Sequence, residues 1–254
     1  MLQLLLTSGA QLDVRDRRGD TAISIARLYR RQHVLTFLQN YSGTDMSEFN
    51  HHQPATENFE ENDERWGEEV PQPDFSEAAQ NPNYQHTVNE LAEHCGGKPI
   101  PNDDVPGWFS IPINSQRHNN IQTEDLQRQF LEKGCFVYEP DTYYGEGPKA
   151  LCILPTVDKY EAIALHQTNG CNCGIGTGYV IQWLQELEAT QPFVLTCIAH
   201  DTLAGRLLTP INDPDGLADR MYDFCPDIVD QGCGSVELLA ESLASSDQLF
   251  FWWD

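Results

Sequence analysis

The sequence predicts an α+β fold for the C-terminal part of the chain, a mixed sheet covered by helices, preceded by a short all-α hairpin and an acidic linker. Three observations lead to this prediction. Helical periodicity fills residues 1–41, acids and prolines fill residues 42–97, and strand-like and helix-like patterns alternate over residues 98–254. Such alternation is typical of a sheet covered by helices. A chain of 254 residues is long enough for one large or two small domains.

The formal charge of −24 restricts the kind of partner. A chain this acidic repels the phosphates of nucleic acids and of anionic membranes, so neither is expected as a direct ligand. A basic protein is the natural complement. Excess acid also keeps a protein in solution, so the charge by itself leaves both interpretations open.

Targeting signals and cysteine usage favour the cytoplasm. No apolar run approaches the roughly 18 residues that span a bilayer. The N-terminus, Met1-Leu2-Gln3, has no basic segment before its short apolar run, unlike a secretory signal. The eight cysteines form no Cys-x-x-Cys pair, and reduced thiols are the expectation.

Residues 1–41 read as two helices joined by a polar turn, with Gly9 suited to a left-handed helix end and Thr21 to a helix start. The stretch LLLTSGAQLDVRDRRGDTAISIARLYRRQHVLTFL resembles an ankyrin repeat, with departures at Ala22 and Ser24. The resemblance implies a helical hairpin with a recognition surface. It covers little more than one repeat of about 33 residues, whereas a stable stack needs about three. We therefore expect a terminal repeat whose predecessors are missing.

Residues 42–97 are predicted to be a largely disordered linker. Acidic residues dominate, Arg65 is almost the only base, and prolines at four positions interrupt any periodicity. High net charge with low hydrophobicity is the composition of disorder. Aromatic residues are spaced through the acids, so a second interpretation remains: this segment is an arm that docks on a basic or apolar groove. One short helix is expected over residues 87–94, ended by Gly96.

The C-terminal domain is expected to begin near Lys98 with an extended segment over residues 106–113. A helix follows with Thr123 as its cap. The remaining elements alternate along the chain. Strands are expected over residues 135–138, 149–155, 193–198, 205–208 and 249–253, and helices over residues 158–166, from 177, 213–224 and 235–244. Pro226 should end the third of these helices by Cys225, because a residue before proline avoids helical angles.

Residues 149–254 resemble a bacterial domain of unknown function, family 4253. The motifs on which this resemblance rests occur in order along the segment. They are Leu154-Pro155-Thr156, Thr168-Asn169-Gly170, Ile181-Gln182-Trp183-Leu184, Met221 to Asp227, Gln231-Gly232 and Trp252-Trp253-Asp254. The resemblance implies a fold and no activity. Family members tend to have Ala-Asn-Tyr where this chain has Cys171-Asn172-Cys173.

The sequence offers two candidate chemical sites, a zinc site and a catalytic cysteine. Cys171, Cys173 and His166 lack the separated ligand pairs of a structural zinc site, and no spacing brings in the more distant Cys197, His200 or Cys225. We therefore expect no metal and no cofactor. Cys225 could act as a nucleophile with His200 as base and Asp201 or Asp227 as orienting acid. The favoured alternative is a turn in which Asp227 and Asp230 accept backbone hydrogen bonds.

The glycine-rich loop over residues 169–178 leads into a helix, where backbone amides can hold an anion, but it lacks the P-loop pattern. The residues expected to bind a partner are Asp227, Asp230, Trp252, Trp253, Asn169 and Trp183. The sequence thus favours a non-enzymatic protein-interaction module of the bacterial cytoplasm that binds a basic partner, with an antitoxin or immunity role as its sharpest form. A hydrolase-like or small-ligand-binding domain using Cys225, His200 and Asp227 is the alternative.

Overall fold

A computed structural model describes residues 64–117, 120–141 and 148–253, together with Val14 and Thr21. The ankyrin-like hairpin expected over residues 1–41 and the first part of the linker, residues 42–63, lie outside the described residues. Within the described part of the chain, no helix has the length and apolar character that a membrane crossing requires.

Seven strands form two antiparallel sheets. The first sheet has the order β1-β2-β4-β3, with β1 at Ile100–Pro101, β2 at Phe109–Pro112, β3 at Phe136–Tyr138 and β4 at Ala150–Leu154. The second has the order β5-β6-β7, with β5 at Phe193–Ile198, β6 at Thr202–Leu207 and β7 at Gln248–Trp252. The α+β class predicted for this region is confirmed, but the single mixed sheet that was predicted is instead two sheets with antiparallel strand pairs.

The two sheets meet at Glu139, directly after β3. Its backbone N–H donates to the Thr196 carbonyl at 2.8 Å, and its carbonyl accepts from the Ile198 N–H at 3.0 Å. Further along, the buried Gln127 amide donates to the carbonyls of Val137 and Leu195, both at 2.8 Å. This side chain satisfies two backbone acceptors where β3 and β5 separate, so it joins the sheets without a continuous ladder.

Helices cover both faces of this sheet framework. They are α1 at Ser76–Ala79, α2 at Pro82–Cys95, α3 at Thr123–Leu131, α4 at Lys159–His166, α5 at Thr177–Thr190, α6 at Pro214–Phe224 and α7 at Val236–Ser245. Short 3₁₀ turns occur at Glu64–Trp66 and Cys171–Cys173, and a π-helical turn at Ile228–Cys233. Side-chain caps start four of the helices, α2, α4, α6 and α7. Asn81, Asp158, Asp213 and Ser235 accept from the N–H groups of Asn83, Tyr160, Gly216 and Leu238.

Strand β4 shows why the core has two sides. Leu151 and Ile153 belong to a cluster with α2 and α3, whereas Cys152 and Leu154 belong to a larger cluster with α4 to α7. Because side chains alternate across a strand, a run that is apolar at every position must be buried on both faces. The burial predicted for this strand is therefore confirmed.

The structure differs from the predicted disorder over residues 64–86, and the helix expected over residues 87–94 is longer, Pro82–Cys95, and ends at Gly96 as predicted. Helix α2 carries a buried apolar stripe that includes Tyr84, Val88 and Leu91, and the Tyr84 hydroxyl donates to the Gly107 carbonyl at 2.6 Å. Pro82, which the sequence analysis took as a breaker, lies at the first position of the helix, where its missing N–H costs nothing. The composition of residues 42–97 as a whole predicted disorder because acids dominate the segment before α2. An average over so many residues does not report the apolar stripe of a single helix.

Residues 64–75 precede α1 and are here called the strap. After its 3₁₀ turn the strap has no regular structure up to Phe75, whose side chain is buried in the larger core cluster. The Arg65 carbonyl accepts from the Gly176 N–H at 3.1 Å, and the Gln167 side chain donates to the Val70 carbonyl at 3.1 Å. The strap therefore lies across the end of α4 and the start of α5.

The predicted cap of α3 also differs from the structure. Gln122 occupies the capping position and makes no side-chain capping bond. The Thr123 hydroxyl instead donates to the Glu139 carboxylate. Burial raises the pKa of Glu139, and this hydrogen bond lowers it in part. Thr123 thus stabilises a half-buried acid at the junction of the sheets rather than the helix start.

Four aromatic rings form the centre of the larger cluster. Phe224, at the end of α6, stacks on Trp183 of α5 with ring centroids 4.1 Å apart. Its ring also makes edge-to-face contacts with Phe251 at 4.9 Å and Trp253 at 5.2 Å. As predicted, α6 ends at Phe224, directly before Cys225 and Pro226. One buried ring therefore links α5, α6, β7 and the end of the described chain.

We predict that Phe224→Ala lowers the free energy of unfolding by about 3–5 kcal/mol, because it leaves a cavity between three rings that α5 and β7 hold in place. Urea unfolding followed by tryptophan fluorescence measures this loss. Phe250→Ala, which removes the same atoms from a half-buried position on β7, is the matched control and should cost clearly less. Equal losses for the two variants would contradict a central role for Phe224.

Candidate functional site

The turn after α6 meets the glycine-rich loop at Asp227. Its carboxylate accepts from the Asn172 side-chain amide and the Gln231 side-chain amide, both at 3.0 Å, and the Cys173 sulfur lies 3.8 Å away. We call Asn172, Cys173, Asp227 and Gln231 the Asp227 cluster. Asp227 itself is only 8% exposed. This carboxylate therefore ties the loop to the turn.

Backbone N–H groups were the predicted hydrogen-bond donors to the Asp227 carboxylate. Asp227 has helical backbone angles, φ −61° and ψ −29°, and its side chain does not cap the π-helical turn that follows. With these angles the carboxylate reaches the side-chain amides of Asn172 and Gln231, which no local sequence signal identified. Ile228 and Val229 are both buried.

The side chains of Cys225, His200 and Asp227 each contact different residues of this chain. The Cys225 thiol donates to the Trp252 carbonyl at 3.1 Å, and burial raises its pKa to about 12. His200 is exposed, and its Nδ1 atom lies 3.2 Å from the His166 carbonyl. A nucleophilic cysteine needs a thiolate and an adjacent base. These contacts give Cys225 neither, and they do not bring the three side chains together as a relay.

The tryptophans proposed for binding have structural contacts. Trp183 and Trp253 are 7% and 2% exposed, and both pack on Phe224. The Trp253 indole also donates to the Phe224 carbonyl at 3.3 Å. Trp252 is half-buried. Because a partner surface must be accessible, Trp183 and Trp253 cannot contribute to one in this conformation.

Asn169 and Asp230 fix local structure. The Asn169 side chain donates to the Gln167 carbonyl at 2.7 Å and accepts from the Cys171 N–H at 3.1 Å. Asp230 is exposed, and its carboxylate accepts from the Tyr222 hydroxyl at 3.2 Å. Asn169 thus shapes the glycine-rich loop, whereas Asp230 remains accessible for a partner.

The glycine-rich loop lies beneath the strap. The Gly176 N–H, one of the amides that could have held an anion, donates to the Arg65 carbonyl of the strap. A Cβ atom at Gly176 would lie 2.1 Å from the Trp66 carbonyl oxygen, and one at Gly178 would lie 2.2 Å from that of Glu68. The contacts therefore assign these glycines to close backbone packing. The regular glycine spacing was the sequence signal for it.

The candidate metal ligands do not converge in the part of the chain that the structure describes. In this part of the chain no group of three or more His, Cys, Asp or Glu side chains is arranged to hold a metal ion. Cys173 faces Asp227, and burial raises its pKa to about 11. Since metal binding needs a thiolate, this environment opposes it.

A buried polar contact that the sequence analysis missed joins Tyr138 to His166. The two side chains are 2.8 Å apart at the Tyr138 hydroxyl and His166 Nε2, and the imidazole also packs against the Trp108 ring. Burial, with a smaller contribution from the charge of His200, lowers the pKa of His166 to about 4. His166 is therefore neutral at physiological pH and part of the packing between α4 and β3.

Helices α6 and α7 pack against each other, and with the turn between them they carry six exposed carboxylates, here called the acidic helix pair. They are Asp215, Asp219, Asp223, Asp230, Glu237 and Glu241. None of the six forms an ion pair with another described residue. Arg220 is the one Lys or Arg in residues 207–254, and its guanidinium lies 5.7 Å from the Trp183 ring centroid. The surface is therefore strongly negative.

Comparison with known protein families matches residues 150–254 to the model described as Domain of unknown function (DUF4253). This match supports the resemblance noted for residues 149–254 and covers the region from β4 onwards. No curated protein and no solved structure matches the chain. The ankyrin resemblance of residues 1–41 has no support from these comparisons and stays a prediction.

We predict that Asp227→Ala lowers the free energy of unfolding by about 1–3 kcal/mol, because hydrogen bonds from Asn172 and Gln231 to a charged acceptor are lost. Thermal and urea unfolding measure this loss. Asp230→Ala removes an exposed carboxylate from the same turn and should cost less than about 1 kcal/mol. If Asp227→Ala unfolds like the wild type, Asp227 does not tie the loop to the turn.

A second prediction concerns pH. The pKa of His166 is about 4 in the folded protein, against its ordinary 6.5. Between these values the unfolded chain binds a proton that the folded protein does not. The free energy of unfolding should therefore fall by up to about 3 kcal/mol as the pH decreases from 6.5 to 4, and this contribution is fully present above pH 6.5.

Urea unfolding of the wild type and of His166→Gln at several pH values isolates this contribution, because glutamine does not titrate. The difference between the two proteins should shrink as the solution becomes more acidic. Parallel pH profiles would show that His166 is not the group responsible.

Proposed function

We propose that this protein is a non-enzymatic interaction module that binds a basic protein partner through the acidic helix pair. The observation that carries the proposal is the set of six exposed carboxylates on α6, α7 and the turn between them, with no ion pair to any other described residue. Such a surface attracts a positively charged protein and orients it before contact.

The packing below this surface supports the proposal. The inward sides of α6 and α7 are apolar, with Leu217, Met221 and Phe224 on the first and Ala240 and Leu243 on the second. On α6, Asp215, Asp219 and Asp223 recur every fourth residue, which places them on one side of the helix. A rigid helix that carries three carboxylates in a row suits recognition of spaced lysines or arginines.

The partner is expected to be a basic protein, and neither nucleic acid nor an anionic membrane. In its sharpest form the proposal is an antitoxin or immunity role in a bacterial cytoplasm, in which this acidic protein sequesters a basic toxin enzyme. The ankyrin-like segment would add a recognition surface. The hydrolase-like alternative requires Cys225, His200 and Asp227 to converge on a ligand, and no contact described above favours it.

We predict that replacing Asp215, Asp219 and Asp223 together by asparagine weakens binding of the basic partner between about threefold and about a hundredfold, since each exposed charge pair contributes about 0.2–1 kcal/mol. The partner is first captured from the source organism on the immobilised wild-type chain and identified by mass spectrometry. Its affinity is then measured with purified proteins at low and high salt.

The control variant replaces Glu77, Glu93 and Glu132, exposed acids outside the acidic helix pair, by glutamine. It changes the net charge by the same amount and should bind nearly as the wild type does. An identical loss for both triple variants would mean that total charge matters and the acidic helix pair does not. A captured partner that is itself acidic would overturn the proposal.

A further inference from the structure

A cleft of about 340 Å³ lies between the end of α2 and the start of α3. Its volume is near the lower end of the range of about 300–1,000 Å³ that is usual for small-molecule sites. The side chains that line it are of three kinds, basic, apolar and polar or acidic: His94 and Arg117, Ile121 and Leu126, and Gln122 and Asp125. The cleft therefore has the size and the mixed lining of a site for a small ligand.

The end of α2 orients Arg117 at the edge of this cleft. The Arg117 Nη1 atom donates to the carbonyl oxygens of Glu93 and His94, the second at 2.9 Å. Both carbonyls belong to the last turn of α2, where backbone acceptors have no partner within the helix. Because both bonds use a single nitrogen, the guanidinium is fixed in position while its Nε and Nη2 donors are left for another group.

Arg117 also differs from the other arginines around it in having no acidic partner. Arg128 and Arg206 each form ion pairs with carboxylates, whereas no carboxylate of the described residues lies within ion-pair distance of Arg117. The chain has 39 acidic and 15 basic residues, so acids are abundant. A guanidinium that is held in place and lacks a carboxylate is suited to bind one from outside, through two parallel hydrogen bonds.

The start of α3 favours the same kind of ligand. Gln122 occupies the capping position of α3 and makes no side-chain capping bond. The N–H groups at an uncapped helix start attract negative charge. His94, on the opposite wall, packs edge-to-face on Phe130 with ring centroids 6.1 Å apart, and neither of its ring nitrogens has a hydrogen-bond partner in the described part of the chain. The donors at this cleft thus come from both helices.

The remaining lining limits which anions fit. Ile121 and Leu126 give the cleft an apolar surface, which favours a hydrocarbon group beside the negative charge. Asp125 is exposed at the cleft and pairs with Arg128 at 3.5 Å, so a carboxylate of the protein itself stands near the ligand. Together with the net charge of −24, this acid opposes a multiply charged anion such as phosphate.

We propose that this cleft is a binding site for a small organic monocarboxylate with a short apolar tail. The Arg117 guanidinium pairs with the carboxylate, and Ile121 and Leu126 contact the tail. The proposal does not depend on the basic protein partner, because that interaction is assigned to α6 and α7. Either proposal can therefore fail while the other holds.

Titration of the full chain with isovalerate, followed by ¹H–¹⁵N NMR spectra, tests this proposal. The backbone amides of Asn120 and Gln122 should shift and saturate at millimolar concentrations. Isopentylamine, which has the same tail and the opposite charge, and inorganic phosphate should leave these amides unshifted. Absence of a saturable shift with isovalerate would overturn the proposal, and so would phosphate binding of equal strength, because the cleft would then not select for an apolar tail.

Two charge-matched variants place the ligand in the cleft. Gln122→Glu adds a negative charge beside the carboxylate site, and because acids are favourable at a helix start it should not destabilise α3. It should weaken isovalerate binding several-fold. Gln129→Glu adds the same charge at an exposed position of α3 outside the cleft and should bind as the wild type does. Equal affinity for the two variants would contradict the proposed location.

Arg117→Gln removes the proposed partner of the carboxylate. It should weaken isovalerate binding at least about tenfold, because hydrogen bonds between two charged groups are lost. The substitution also loses bonds to the end of α2, so thermal unfolding checks that the variant is folded at the temperature of the titration. If it does not fold, Gln122→Glu decides the question. A folded Arg117→Gln variant with wild-type affinity would show that Arg117 does not bind the ligand.

Discussion

The packing of Phe224 between Trp183, Phe251 and Trp253 is the contact on which the rest of this domain depends. Its position follows from Pro226, which stops α6 at this ring. Because the ring belongs to a helix end, the same packing that fixes the core also fixes the direction in which the chain leaves α6. That exit places Asp227 against Asn172 of the glycine-rich loop and sends the following turn towards β7.

This core also decides which side of α6 faces water. The aromatic cluster takes the apolar side of α6, so residues at the opposite side of the helix face water. Asp215, Asp219 and Asp223 occupy that side, and Arg220 is drawn to the Trp183 ring rather than to a carboxylate partner within 4 Å. A negative surface without local compensation is costly through self-repulsion. Its presence on a well-packed helix pair supports the proposal of a positive partner.

Local signals were sufficient for much of the fold. The uninterrupted apolar run of β4 and the stop at Pro226 each act within a few residues, and the structure agrees with both. Long-range contacts were not accessible from the sequence. Nothing near Thr123 indicates that its hydroxyl faces Glu139, and nothing near Asp227 indicates the Asn172 amide of a loop more than fifty residues away.

The glycine-rich loop shows why a long-range backbone contact could not be predicted from the local sequence. Glycines before a helix are compatible with an anion and equally with another backbone, and only the position of Trp66 and Glu68 distinguishes the two. With a backbone as its neighbour, this loop depends on steric fit, whereas the proposed role of the acidic helix pair depends on charge. Added salt would weaken the proposed attraction between the acidic helix pair and a basic partner. It would leave the backbone packing of the loop largely unchanged, so a change in ionic strength distinguishes the two surfaces within a single protein.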